Sequence, residues 1–249
     1  MKNATIITVN YYSGTLIHTL ERTAAQLSEI KVIVVDNSGD FKPALDTTLV
    51  VSPGKNLGFG RACNLGAQNT DAPILLFLNP DAEISPQTLE HLLDNCPGPL
   101  DRTIWGPSLL DGSGRVSTLK RPGRYGLAFQ RIYIQPTGAE AFPVLYASGA
   151  CLAIGAELFN LVGGYCEDIF LYAEDLDLCL RARTSGADVF VLPELTVQHA
   201  GGHSTSKLSS RFKRLARSYK GHYLFFRKLH FSPVQAGINA LHLASGLRI

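Results

Sequence analysis

No acidic residue follows Glu194 in this 249-residue sequence. All 21 Asp and Glu lie at or before that position, while the remaining 55 residues hold nine Lys or Arg and five of the seven His. The small net charge of +2 therefore conceals a body of net −7 and a tail of net +9. A basic, acid-free tail calls for an anionic partner, such as membrane headgroups, a phosphorylated lipid or nucleic acid; a plain solvated basic face is the alternative. Long apolar runs are also missing. No stretch of 18 uncharged apolar residues occurs, so no helix is expected to span a bilayer. The opening MKNATIITVNYYSG has too short an apolar run for a secretory signal and leads directly into a strand and turn. The five cysteines, at 63, 96, 151, 166 and 179, form no CxxC pair and are odd in number, which argues for buried, reduced thiols in a reducing compartment.

What is present is an alternation of short apolar runs with helical patterns, at a length that suits one large α/β domain or a domain plus an appendage. Residues 4–9 and 31–35 are continuous apolar strands that end at Asn10-Tyr11-Tyr12-Ser13-Gly14 and Asp36-Asn37-Ser38-Gly39. Between them Leu16, Leu20, Ala24 and Leu27 recur at helical spacing. Continuous Val/Ile strands separated by helices predict a mostly parallel sheet covered on both faces, with ligands bound beyond the carboxyl ends of the strands. Residues 49–52 form a third strand. Asn56-Leu57-Gly58-Phe59-Gly60-Arg61 then opens a helix whose glycines allow close backbone approach, and Arg61 in its first turn opposes the helix dipole unless it serves an anion. A plain tight turn explains Gly-x-Gly equally well. The fourth strand, residues 73–78, ends in Asn79-Pro80-Asp81, where an acid either holds a divalent cation or caps the next helix, residues 87–95.

Beyond residue 97 the pattern loosens. Residues 105–107 and 111–116 read as strand, hairpin turn and strand, residues 120–143 as a mobile loop near the site, and residues 145–154 as a strand interrupted by Ser148-Gly149-Ala150. The stretch around which the rest is organised is residues 165–203. Glu174, Asp175 and Asp177 start a helix that runs to about Ser185, with Gly186 as its C-cap. A carboxylate there, held ionised by the helix dipole and facing a cleft, can take a proton from a hydroxyl. An N-cap plus an Asp177–Arg181 pair at i,i+4 is the bland account, and it covers Asp177 better than it covers three acids in four residues. The stretch closes on His199 and His203; a strand-end histidine is either a metal ligand or a structural residue. In the tail, residues 207–230 form a basic amphipathic helix with Leu208, Phe212, Leu215, Tyr219, Tyr223 and Phe226 on one side, suited to a membrane interface or, over its first half, to packing on the domain. Residues 234–247 form a second, more apolar helix, for membrane or homodimer contact.

Taken together, Thr8-Val9-Asn10-Tyr11, Val34-Val35-Asp36-Asn37-Ser38, Asn56-Leu57-Gly58-Phe59-Gly60 with Asn64 and Gly66, Leu78-Asn79-Pro80-Asp81, Ser148-Gly149-Ala150, residues 170–179 and His199 resemble the family 2 glycosyltransferases of the GT-A fold. Within them the chain is most similar to bacterial rhamnosyltransferases that use dTDP-L-rhamnose. The resemblance covers about residues 4–205 as the GT-A domain and leaves 206–249 as a C-terminal helical, membrane- or partner-associating segment. It implies an inverting, metal-dependent hexosyl transfer. Tyr11 and Asp36, with Val9 and Asn10 beside them, would hold the nucleobase side. Asn56, Phe59, Gly60, Arg61 and Asn64 would line the nucleotide and pyrophosphate. Asp81 and His199 would bind Mg2+ or Mn2+, with Asn79 where the family's metal motif has its first Asp. Asp175 matches the catalytic base, with Glu174 beside it, and Gly149, Ala150 and Trp105 would flank the acceptor. The implied partners are dTDP-L-rhamnose and a polyprenyl-diphosphate-linked or other envelope glycan, not nucleic acid, on the inner face of the cytoplasmic membrane. A sugar-phosphate nucleotidyltransferase and a non-catalytic nucleotide-sugar-binding module are the rival readings.

Overall fold

The computed structural model describes residues 3–110, 116–120, 128–134, 140–199 and 208–245. The chain starts with β1 (Ala4–Asn10), α1 (Gly14–Ala24), β2 (Ile30–Asp36) and β3 (Thr48–Val51). Then come α2 (Phe59–Ala67), β4 (Ile74–Leu78), the two-residue β5 (Ala82–Glu83) and α3 (Pro86–Asp94). After a 3-10 turn at Leu100–Arg102 follow β6 (Thr103–Leu110), β7 (Val116–Lys120), β8 (Gln130–Ile134), β9 (Phe142–Pro143), β10 (Cys151–Gly155) and α4 (Ala156–Leu161). The chain continues through α5 (Glu174–Thr184), β11 (Asp188–His199), α6 (Leu208–Lys228) and α7 (Pro233–Ser245).

Nine strands form one sheet, in the order β3-β2-β1-β4-β10-β6-β11-β5, with β9 on β11. The first four are parallel; β10 then runs antiparallel to both β4 and β6, and β11 is parallel to β6. Both faces are covered, as continuous apolar strands require. Ile17, Leu20 and Ala24 of α1 and Leu89, Leu92 and Leu93 of α3 pack on one face. Ala62 and Cys63 of α2, Leu158 and Phe159 of α4, and Leu178, Cys179 and Ala182 of α5 pack on the other. Of the predicted stripe of α1, Leu20 and Ala24 are buried, while Ile17 takes the place of Leu16, which is left exposed.

Three further expectations change. Residues 120–143 contain β8, which pairs with β7 across the Val116↔Ile134 to Lys120↔Gln130 register, so β7 belongs to its own two-stranded sheet and not to a hairpin with β6. Residues 121–127 and 135–139 of that stretch, and residues 111–115, lie outside the described residues. The strand predicted from 145 begins only at Cys151, because Ser148, Gly149 and Ala150 turn the chain there.

The tail helices are packed, not loose. Phe225 and Phe226 of α6 and Ala236, Ala240 and Leu243 of α7 share a core cluster with Phe129, Ile169, Ala173 and Leu176. It is the second half of α6 that docks, the reverse of the expectation for its first half. Burying each Phe stabilises the arrangement by about 2 kcal/mol. Gly221 permits the contact, since a Cβ there would stand 2.2 Å from the carbonyl oxygen of Tyr172. Phe212, Leu215 and Tyr219 of α6 and Val234, Ile238 and Leu241 of α7 remain exposed.

Candidate active site

The carboxyl ends of β1, β2 and β4 open on one side of the sheet. At the end of β4, the N–H of Asn79 donates to the carbonyl of Ala150 at 2.9 Å, which brings residues 148–150 alongside. The next residue back, Gly149, donates its N–H to Oδ2 of Asp175 at 2.9 Å. Asp175 Oδ1 accepts from the N–H of Leu176 at 2.8 Å, so both carboxylate oxygens act as acceptors at the start of α5. Gly149 has to be small here, because an added Cβ would stand 3.3 Å from the Cβ of Asp175 and 3.5 Å from the ring of Phe59.

Farther along the sheet beyond β10 and β6, the β5–β11 register sets Ala82 opposite His199. Asp81 thereby meets the histidine: Nε2 of His199 lies 3.3 Å from Oδ1 of Asp81 and 3.5 Å from Nδ2 of Asn79. Among the described residues no three His, Cys, Asp or Glu side chains converge on one point. Asp81 nevertheless supplies the kind of oxygen ligand that Mg2+ and Mn2+ take, and His199 could join it, with water and substrate phosphates completing the set. His203 lies outside the described residues.

Glu174 behaves differently from its neighbour. It is buried, its Oε2 has no hydrogen-bond partner among the described residues, and burial, reinforced by the adjacent Asp175 charge, pushes its pKa up to about 8. Burial favours the neutral acid, so Glu174 is held towards its protonated form. The backbone leading in is strained: Tyr172 and Ala173 both hold left-handed φ, at 68° and 69°. Such conformations in residues other than glycine persist only where the surroundings enforce them. Here α2 does so from one side and α6 from the other.

That role of α2 changes several expectations. The N–H of Phe59 donates to the carbonyl of Phe170, and a Cβ on Gly58 would stand 2.3 Å from the same oxygen. Nε of Arg61 donates to the carbonyl of Glu167 at 2.8 Å and lies 3.6 Å from its carboxylate, so the anion served by Arg61 is Glu167. Asn64 donates to the carbonyl of Tyr165 and accepts from its N–H, at 2.9 and 2.8 Å. Phe59 and buried Gly60 both pack on Tyr165. The start of α2 is therefore the bed for residues 164–170, which carry Glu174 and Asp175, and not an open anion site. Asn56 and Arg61 remain exposed there, with Asn56 Oδ1 accepting from the N–H of Gly58.

At the ends of β1 and β2, Asn10 and Asp36 are turned inward. Nδ2 of Asn10 reaches Asp36, Ser38 and Asp40, each at 2.9 Å, and its Oδ1 accepts from the N–H of Ser13. Asp36 accepts from Asn10 and from the N–H groups of Ser38, Gly39 and Phe41. Burial alone would raise its pKa, but these donors outweigh burial and hold the carboxyl below its ordinary value. Both residues shape the loop instead of offering free side chains, and the Val9 side chain is buried in the core. Tyr11 and Tyr12 stand out, half or more exposed with ring centroids 4.8 Å apart. Tyr12 was not among the expected residues; its left-handed φ of 58° at a strand end has no clear sequence signal. Trp105 is also corrected. It is fully buried, donates Nε1–H to the carbonyl of Leu92 at 2.7 Å, and has no surface for an acceptor.

The Asn79–Ala150 and Gly149–Asp175 hydrogen bonds thus link the Asp81–His199 end of β4 to the start of α5, at the strand ends where open α/β sheets bind their ligands. Residues 4–98 match the model of Glycosyl transferase family 2, and the chain resembles glycosyltransferases along most of its length. The N-acetylglucosaminyl-diphospho-decaprenol L-rhamnosyltransferase of Mycobacterium tuberculosis is 28% identical, over 90% of this chain and 84% of that protein. The dTDP-rhamnosyl transferase RfbF of Shigella flexneri is 23% identical, over 76% of this chain and 68% of that one. Among solved structures, the mannosyltransferase PcManGT from Pyrobaculum calidifontis in complex with GDP-Man and Mn2+ superposes with a TM-score of 0.66 at 15% identity, over 98% of this chain and 73% of that one. GalNAc-T7 with UDP, GalNAc and Mn2+ gives 0.63 at 14% identity, over the whole of this chain and 55% of that one.

Proposed function

We propose that the enzyme transfers L-rhamnose from dTDP-L-rhamnose, with inversion, to a saccharide carried on a polyprenyl diphosphate. The carrying observation is the pair of hydrogen bonds Asn79 N–H to Ala150 and Gly149 N–H to Asp175, which joins the Asp81–His199 lip to Asp175 through two consecutive residues. Asp175 acts as the base. The acceptor hydroxyl oxygen bonds to the anomeric carbon, the bond from that carbon to the diphosphate breaks on the opposite face, and the hydroxyl proton passes to Asp175. Glu174 holds its proton and Asp177 is engaged by Arg181, which leaves Asp175 to take the proton. Asp81 and His199 would hold Mg2+ or Mn2+, which would supply positive charge against the departing diphosphate. The exposed Tyr11 and Tyr12 offer the nucleobase its stacking faces.

The donor and acceptor are supported by the names of the Mycobacterium tuberculosis and Shigella flexneri relatives, and the metal by the Mn2+ in the two solved neighbours. No helix among the described residues is long and apolar enough to cross a membrane. The exposed apolar rows of α6 and α7, with Lys213, Arg214, Arg217 and Lys220 beside them, favour peripheral binding to an anionic leaflet on the cytoplasmic side, with residues 206–249 as the attaching segment. The test is a thermal-shift screen of nucleotide-sugars with and without Mn2+, followed by transfer to a prenyl-diphosphate N-acetylglucosamine and determination of the anomeric configuration. Stabilisation by UDP- or GDP-sugars but not dTDP-L-rhamnose overturns the donor; a product with retained configuration overturns the role of Asp175.

A further inference from the structure

A groove enclosing about 470 Å³, including solvent at its open side, runs between residues 168–171 and α6. Its lining is largely apolar, from Phe170, Leu171, Gly221 and Leu224, with Arg217 and Lys220 on the α6 side and one carboxylate, Asp168, at its border. Among the described residues neither Arg217 nor Lys220 has an ion-pair partner within 4 Å, although both are exposed. Unpaired cations beside an apolar trough complement an amphiphilic anion, not a sugar and not a plain hydrocarbon. The place is as specific as the lining. Residues 168–171 lead through left-handed Tyr172 and Ala173 directly into Glu174 and Asp175. The opposite side of that segment is closed by α2, through the Phe59–Phe170 hydrogen bond. Arg214 and Arg217 both act electrostatically on the Tyr172 phenol, so positive charge reaches to within two residues of Glu174.

We infer that this groove receives the prenyl-diphosphate end of the acceptor: Arg217 and Lys220 hold the diphosphate, and the first isoprene units lie along Phe170, Leu171 and Leu224. This rests on the lipid-linked acceptor proposed above and gives that acceptor a location. The sugar next to the diphosphate is then directed along residues 171–173 towards Asp175, while the nucleotide's own diphosphate is held apart, at Asp81 and His199.

The probe is farnesyl diphosphate, titrated into the full-length protein with dTDP and Mg2+ saturating the donor crevice, beside farnesol and inorganic diphosphate. Arg217→Gln/Lys220→Gln is expected to weaken farnesyl diphosphate binding about tenfold or more, since each charge-assisted contact contributes on that order. Farnesol binding should not change in that variant. Leu224→Gln should weaken farnesyl diphosphate and farnesol alike and leave inorganic diphosphate unaffected. Wild-type affinity of the double variant for farnesyl diphosphate, or an equal loss for farnesol, overturns the assignment. So does a loss confined to phosphatidylglycerol vesicles, which would make the two cations a membrane contact. The underlying acceptor reading fails separately: it falls if the wild-type enzyme transfers to no prenyl-diphosphate saccharide, whereas a normal KM for such an acceptor in the double variant removes only the groove.

Discussion

His199 and Asp81 meet at 3.3 Å, one residue along from the pairing that sets Ala82 of β5 opposite His199 of β11. The contact spans the whole length between β4 and β11, yet it sits beside two register partners. If the pair holds the cation, His199→Ala should raise the Mn2+ concentration needed for half-maximal turnover by about tenfold or more. Metal titrations of the transfer rate measure this directly, and an unchanged half-saturation would assign the histidine to strand-end packing.

Asp175→Asn keeps the size of the side chain and removes the base. Transfer should fall by about a hundredfold or more. Isothermal titration should give the same nucleotide-sugar affinity as the wild type. Near-normal turnover in the variant would require a different proton acceptor.

Gly149→Ala tests the seating of that base. The new Cβ would press on the Asp175 Cβ from 3.3 Å and on Phe59 from 3.5 Å. Displacement by a few tenths of an ångström should cost stability only about 1 kcal/mol but lower kcat about tenfold. A variant with a depressed melting temperature and an intact kcat would show that the base tolerates movement.

Glu174 gives the protein a pH signature. Its folded pKa lies near 8, above the ordinary 4.5, because burial and the Asp175 charge both disfavour ionisation. The native state therefore keeps a proton that the unfolded state releases, and this group's contribution to stability declines as pH rises from about 4.5 towards 8. Glu174→Gln should raise the melting temperature relative to wild type, by more at pH 8 than at pH 5. An equal difference at both values would mean that the wild-type carboxyl titrates normally.

Asn64→Ala separates two roles for α2. If Asn64 chiefly anchors Tyr165, its loss should destabilise the fold by about 2 kcal/mol by leaving main-chain groups unpaired. Donor affinity should stay the same. A weakened nucleotide-sugar complex with an unaltered melting temperature would restore Asn64 to the donor crevice.

The parallel strands, the helix from Glu174 and the Asp177–Arg181 pair, at 2.7 Å, follow from hydrophobic runs and i,i+4 spacing that the sequence displays openly. The destinations of polar side chains do not follow in the same way. Asn10, Asp36, Arg61 and Asn64 have the residue types of a nucleotide site, but each satisfies main-chain or side-chain groups brought in from elsewhere in the chain. Asn64 and Tyr165 are 101 positions apart, and no local pattern encodes that meeting. Trp105 illustrates the same point: a lone tryptophan near a strand reads equally well as a ligand platform or as core, and only the carbonyl of Leu92 decides for core. The docking of α6 on residues 169–176 depends on Gly221, an unremarkable small residue until its neighbour's carbonyl is seen 2.2 Å from where a methyl would sit.

Because Phe225, Phe226, Ala236, Ala240 and Leu243 form one side of the cluster that encloses Ile169, Ala173 and Leu176, shortening the chain before α6 would strip the lining from the segment that aims Asp175. A truncated enzyme that fails to work would then say nothing about lipid attachment. The informative changes are single polar replacements on the outward rows, Phe212→Ser or Ile238→Ser, which leave that inner lining whole.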